Sequence, residues 1–325
     1  MTNKIPLALC DNKIWNSDRF IIDLISMSLV NINDIEIDLL FEGPCIKSVG
    51  LDNILDSIVN EFGFDPKRYT IITSNQLSSS DYNEIRTPFV ELEFIKNNIT
   101  SEMHNPTTLS KRFGIFISRS NHMRFGIASY IWNNCKNSAM TYHYSHTDDY
   151  HIPNFGFETF INRNWDSWDS AVNFVKHTPM VVTKETYPIA LNKNALSISS
   201  LYSDMFCEVI CETFFTGRTF FITEKTLRCI MNRRPFVIQG PKWYIKNLHL
   251  LGFKTFNRWW CEAYDIDADD ARFGTIINCL EWINKQNQHT IDNWYLEMGD
   301  ILDHNINVLR MLTDEKIHNT EYFYE

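Results

Sequence analysis

The feature that most restricts the fold is an alternation, through the first hundred residues, of short strand-like runs with longer helix-like ones. "IPLALCD" (5–11) reads as a strand, and "SDRFIIDLISMSLV" (17–30) as a helix with Ser17 or Asp18 at its cap. "IEIDLLFEGP" (35–44) is a strand stopped by Gly43-Pro44, "LDNILDSIVNEFGF" (51–64) a helix ending near Gly63, and "RYTIITSNQ" (68–76) a further strand. A βαβαβ order of this kind implies a parallel sheet with helices on both faces.

The alternation stops in the polar stretch "NNITSEMHNPTTLS" (97–110), which reads as a linker, and then restarts. "RFGIFISRS" runs as a strand into the helix "NHMRFGIASYIWNNC", whereas "SAMTYHYSHTDDYHIPNFGF" (138–157) has no periodicity and reads as loop-rich. "DSWDSAVNFVKHTP" is helical, "FCEVICETFF" and "FFITEKTLRCIMNRRPFVIQG" give strand, loop, helix and strand, and "YIKNLHLLGF" is a helix closed by Gly252. A helical tail follows from Gly274. The expected organisation is an α/β protein with two Rossmann-like domains: residues 1–100, a linker at 101–110, residues 111–275, and C-terminal helices over 276–325. Ligands of such folds bind at the carboxyl ends of strands.

A chain of 325 residues with 44% hydrophobic and 14% aromatic residues can bury large cores and is not a disordered sequence. The apolar run Ile5–Cys10 is too short for a signal-peptide core, and no stretch reaches the length of a membrane span, so a cytoplasmic location is expected. The eight cysteines (Cys10, Cys45, Cys135, Cys207, Cys211, Cys229, Cys261 and Cys279) contain no C-x-x-C pair and read as reduced thiols rather than zinc ligands. His143, His146, Asp148 and His151 carry metal-ligating chemistry but match no known spacing, and a loop lining an acceptor cleft is the preferred reading.

The formal charge of −10 argues against a broad grip on nucleic acid. Against that background, residues 217–258 hold nine basic side chains (Arg218, Lys225, Arg228, Arg233, Arg234, Lys242, Lys246, Lys254 and Arg258) and one acid, Glu224. Such segregation fits a local site for a compact polyphosphate, because Lys and Arg donate charge-assisted hydrogen bonds to phosphate oxygens. A solvated basic surface is an equal reading for Arg233, Arg234, Lys242 and Lys246.

Lys225 is distinct, since Thr223-Glu224-Lys225 falls where a loop enters a helix and free backbone amides welcome an anion. Glu224 there can accept hydrogen bonds from ribose hydroxyls, or simply favour the helix dipole. A second strand end, Ser118-Arg119-Ser120-Asn121, opens a helix bearing Arg124 and aims amides and a guanidinium at one spot. Neither a G-x-G-x-x-G nor a Walker fingerprint is present, which disfavours dehydrogenases and P-loop enzymes. Trp243, Trp259 and Trp260 lie beside the cationic segment and read first as packing residues.

The segment from "FCEVICETFF" to "PFVIQG" resembles the donor-site pattern of the α1,3-fucosyltransferases, in which a Phe-Glu-Asn-like strand end precedes a Tyr-x-Thr-Glu-Lys run and a helix and strand. In that likeness Glu212 stands for the triplet's acid, Phe221 for the aromatic, Glu224 and Lys225 for the acid and lysine, and Arg124 for the arginine that grips the donor pyrophosphate. Thr213 replaces the family's Asn and Phe221 its Tyr, so the nucleotide-sugar fold is better supported than fucose itself. The segment is also similar to glycosyltransferase-like proteins of bacteriophages and aquatic bacteria.

The resemblance implies a GT-B glycosyltransferase with two facing domains and a GDP-sugar, or alternatively a UDP-sugar, as donor. Ser118, Arg119, Arg124, Glu212, Thr213, Phe221, Thr223, Glu224 and Lys225 would bind that donor, and Arg124 and Lys225 would stabilise the leaving diphosphate without a metal or further cofactor. The acceptor would be a hydroxyl of a glycan or lipid-linked saccharide, and inversion needs a base, for which Glu42 and Asp11 both qualify at strand ends. Two rival readings stand beside it: transfer to a hydroxymethylated base in phage DNA, and nucleotide or glycan binding without catalysis.

Overall fold

The computed structural model describes residues 4–7, 9–10, 13–14, 16–30, 34–39, 43–86, 109–117, 120–142, 156–180, 182 and 199–314. The chain is a mixed α/β protein with two parallel sheets. It divides into two compact units: Met1–Leu92 with Thr216–Thr223 and Ile317–Glu325, and Glu93–Phe215 with Glu224–Lys316.

In the first unit, strands β1 (Lys4–Pro6), β4 (Ile35–Asp38), β5 (Tyr69–Thr73) and β6 (Asn83–Arg86) lie side by side in chain order, all parallel. A small antiparallel pair, β2 (Leu9–Cys10) and β3 (Lys13–Ile14), interrupts the path to helix α1 (Ser17–Val30). Helices α2 (Ile46–Val49) and α3 (Leu51–Phe62) follow β4. Gly50 and Gly63 end them at positive φ, a left-handed cap that only glycine takes without strain.

The apolar alternation of β4 and β5 places Ile35, Ile37, Tyr69 and Ile71 in one core with Phe20 and Leu24 of α1 and Leu51, Leu55 and Ile58 of α3. Each of these fully buried side chains contributes about 1.5–3 kcal/mol over its exposed state. The β6 strand is mostly exposed, as a polar edge strand is.

The second unit has a different order. Strands β7 (Lys111–Ile117), β8 (Ser138–Tyr142), β9 (Met205–Cys211) and β10 (Phe236–Gln239) are arranged β10-β9-β7-β8, all parallel. The chain moves one way from β7 to β8 through helix α4 (His122–Asn134). After helices α5 (Gly156–Arg163) and α6 (Trp168–Val175) it returns to the opposite side of β7 for β9 and continues through α7 (Glu224–Met231) to β10. Strand order therefore reverses between β7 and β9. In a parallel α/β sheet, a reversal opens a crevice at the strands' carboxyl ends, because the two crossover connections leave in opposite directions. Helices α8 (Tyr244–Leu250), α9 (Asp269–Asn284), α10 (Gln288–Glu297) and α11 (Gly299–Asp314) complete the unit.

Strand β9 is buried at every position, as expected for a strand with a neighbour on each side and helices over it. Its one charge, Glu208, meets Arg228 of α7 at 2.5 Å, while Arg228 Nε donates to the Tyr202 hydroxyl at 2.6 Å and that hydroxyl bonds Glu208 in turn. Phe125 anchors α4 in a ring cluster with Tyr142, Phe157, Phe160 and Phe174. Gly126 beside it leaves no room for a Cβ, which would lie 2.5 Å from Phe160.

Two expectations change. "SAMTY" is strand β8 rather than loop, because it pairs with β7 along Phe113–Ile117. The helical tail begins at Asp269 rather than Gly274. Among the described residues no helix is long and apolar enough to cross a membrane.

Candidate functional site

At the reversal lie the ends of β7 and β9 and the first turns of the helices that follow them. Helix α4 opens on Asn121, whose side chain accepts from the Arg124 backbone amide at 2.9 Å, a standard N-cap. Ser120 in the same turn hydrogen-bonds the Tyr142 hydroxyl, tying the β7–α4 turn to the end of β8. Arg124 stands in the first turn of α4, where a cation opposes the helix dipole and no acid accompanies it. Its Nη2 reaches the Glu212 carbonyl oxygen at 2.7 Å, just beyond the end of β9.

Lys225 likewise stands in the first turn of its helix, α7, half-buried and 2.8 Å from the Glu224 carboxylate. Burial opposes ionisation of Glu224, yet the charges of Lys225 and Arg228 outweigh it and hold that carboxyl below the usual range. Both site cations act on one buried group: burial pushes the Cys211 thiol up to about 12, and Arg124 and Lys225 pull against it. Arg124 thus reaches the chain just beyond β9, and Lys225 stands in the first turn of the helix that follows that strand.

Glu212 is engaged within the fold through one carboxylate oxygen. It is buried, and its Oε1 accepts from the Thr226 hydroxyl at 2.7 Å and the Tyr244 hydroxyl at 2.9 Å, joining β9 to α7 and α8. Burial and the Glu212 charge push the Tyr244 phenol well above its usual value, so it remains a donor. Thr213, next in the chain, is partly exposed. Arg272 of α9, itself buried, caps the same loop by donating to the Phe215 carbonyl, with its guanidinium 4.1 Å above the Phe215 ring.

The remaining basic residues are largely consumed by structure. Arg228 is the buried partner of Glu208, and Arg233 meets Asp303 at 2.8 Å. Arg234 is wholly buried and donates to the Tyr202 carbonyl at 2.8 Å and the Tyr295 hydroxyl at 2.7 Å. Lys242 and Lys246 lie over the Trp243 ring, and Arg258 meets Glu297 at 3.6 Å. Trp259 and Trp260 are buried, Trp260 within a cluster containing Phe206, Phe256 and Trp294.

Phe221 and Thr223 belong to the other unit, because the chain passes from one to the other between Thr223 and Glu224. There Asn75, fully buried, spends its whole amide on this segment and its surroundings. Its Oδ1 accepts from the Leu77 and Phe220 amides at 2.9 Å, and its Nδ2 donates to the Pro44 and Arg218 carbonyls at 3.1 Å. The Gln76 amide donates to the Phe220 carbonyl at 2.8 Å, and the Thr219 hydroxyl bonds the Gly43 carbonyl. The Phe221 ring lies against Gly43, where a Cβ would come within 2.5 Å of it.

Ser118, Arg119, Glu42 and Asp11 lie outside the described residues, as do His143, His146, Asp148 and His151. Among the described residues no three His, Cys, Asp or Glu side chains gather to hold a metal ion. Sequence reasoning passed over Tyr244, Thr226, Arg272 and Asn75, of which Thr226 and Tyr244 stood in the basic segment 217–258 already singled out. No known protein-family model matches the chain, and no curated protein matches it significantly.

Proposed function

We propose that the chain is a GT-B-type glycosyltransferase that moves a sugar from a nucleoside-diphosphate sugar, with a GDP-sugar favoured over a UDP-sugar, to a hydroxyl of a glycan or lipid-linked saccharide. The observation that carries the reading is the placement of Arg124 and Lys225 in the first turns of the two helices that leave β7 and β9, at the strand-order reversal, with Arg124 reaching the chain just beyond β9. A crevice there takes a nucleotide, and paired cations there suit its diphosphate.

In the reaction the acceptor oxygen displaces the diphosphate at the anomeric carbon, with inversion. Negative charge grows on the leaving phosphate oxygens, and Arg124 and Lys225, already fixed by the fold, stabilise it without reorganising. Glu224, held ionised beside Lys225, accepts hydrogen bonds from the ribose hydroxyls. The acceptor's proton goes to a carboxylate that the sequence assigns to Glu42 or Asp11. Ser118, Arg119, Glu212 and Thr213 belong to the donor-binding set that the sequence assigns, and Glu212 also accepts from the Thr226 hydroxyl at the α7 entrance.

The test is a thermal-shift panel of GDP, UDP, CDP and ADP sugars on the purified protein, since a ligand that binds only the folded state raises its melting temperature. A shift with one nucleotide series supports the reading, and none with any series contradicts it. Stabilisation without sugar transfer or donor hydrolysis would select the non-catalytic alternative, and salt-sensitive retention on DNA the modified-base acceptor.

A further inference from the structure

Gln239 ends β10 and pairs in register with Cys211, the last residue of β9, so both side chains leave the sheet on the same face at its carboxyl end. The residue is 2% exposed, and its side-chain nitrogen is buried with no hydrogen-bond partner. Native proteins rarely leave a buried amide donor unmatched, because the lost water bonds are not repaid. Its backbone carbonyl accepts from the Glu212 amide at 2.9 Å, which ties the end of β10 to the chain leaving β9. Trp260 and Tyr264 also carry buried unmatched atoms, but they stand on the connection between α8 and α9 rather than at a strand's carboxyl end.

We infer that Gln239 is the base-reading residue of this crevice: its amide donates to a carbonyl oxygen of the donor's purine or pyrimidine. The inference rests on the nucleoside-diphosphate reading above and deepens it. Three chemical parts of such a ligand need partners. The diphosphate has Arg124 and Lys225, and the ribose hydroxyls have the ionised Glu224 as an acceptor. The base is left, and it is the part that presents a flat edge with carbonyl acceptors to a buried amide donor. A desolvated donor is also the device that discriminates most strongly, since a ligand without the matching acceptor leaves it unpaired.

Calorimetry with GDP, UDP, ribose 5-phosphate and inorganic pyrophosphate tests this on the wild type and on Gln239→Leu and Gln239→Met. Gln239→Met keeps the side chain's length, so it covers the case in which leucine fails to fold. The expected result is a dissociation constant for the preferred nucleotide raised about tenfold or more in the variants, with pyrophosphate and ribose 5-phosphate binding unchanged. Equal nucleotide binding by variants and wild type, or equal weakening of all the probes, overturns the role of Gln239 and leaves the nucleotide reading standing. Failure of the wild type to bind either nucleotide removes that reading and the inference together.

Discussion

Arg124 Nη2 lies 2.7 Å from the Glu212 carbonyl oxygen, so a residue in the first turn of α4 holds the chain as it leaves β9. The guanidinium both braces the strand end and brings its charge to the crevice. Arg124→Lys keeps the charge but loses the planar fork, and we expect it to weaken nucleotide-sugar binding about tenfold, with Arg124→Ala weakening it about a hundredfold. Titration calorimetry reads both; an unchanged dissociation constant in the alanine variant would remove Arg124 from the site.

Glu208 and Arg228 form a buried ion pair completed by Tyr202. Glu208→Gln leaves a buried guanidinium uncompensated and should cost about 3–5 kcal/mol in urea unfolding. Glu208→Leu with Arg228→Met should recover most of that loss, since neither charge then remains buried. If the single variant unfolds like the wild type, the pair is not structural.

Asn75→Ala removes four hydrogen bonds and strands the Phe220 amide and the Pro44 carbonyl. A loss of about 2–4 kcal/mol is expected from denaturant melts. Asn75→Asp keeps the two accepting bonds but turns a second acceptor towards the Pro44 and Arg218 carbonyls in a buried site, so it should cost at least as much as alanine.

Burial pushes the Glu262 carboxyl up to about 7, against the Thr255 hydroxyl and Phe256 amide that bond it at 2.7 and 2.9 Å. The folded state therefore binds a proton that the unfolded state has released. This contribution is fully present below the unfolded carboxyl pKa and is lost as pH rises towards 7. Glu262→Gln, which keeps the acceptor for Phe256 but does not titrate, should gain stability relative to the wild type between pH 5 and 8, by about 1–3 kcal/mol. Parallel stability curves for the two proteins over that range would contradict the assignment.

The parallel sheets were legible from the alternation of apolar runs, because each run had to bury one face or two. Strand β6 was not: "NEIR" is a polar edge strand whose pairing with β5 leaves little hydrophobic trace. The reversal of strand order was also hidden, since chain order says nothing about which side of β7 receives β9. Within the basic run, charge alone singled out Arg228 and Arg234 with Lys225, whereas burial separates them: the first two point into the core, and Lys225 remains at a helix entrance. Asn75 left no signal, because its partners lie 31, 143 and 145 residues away.

The central claim is that the end of β9 holds a nucleoside diphosphate between fixed cations. Its most direct measurement is the rate of sugar transfer or donor hydrolysis by Lys225→Ala beside the wild type, with the nucleotide sugar that most stabilises the protein. The account predicts a loss of about a hundredfold or more with the melting temperature of the unliganded protein nearly unchanged. Near-normal turnover in that variant would contradict it.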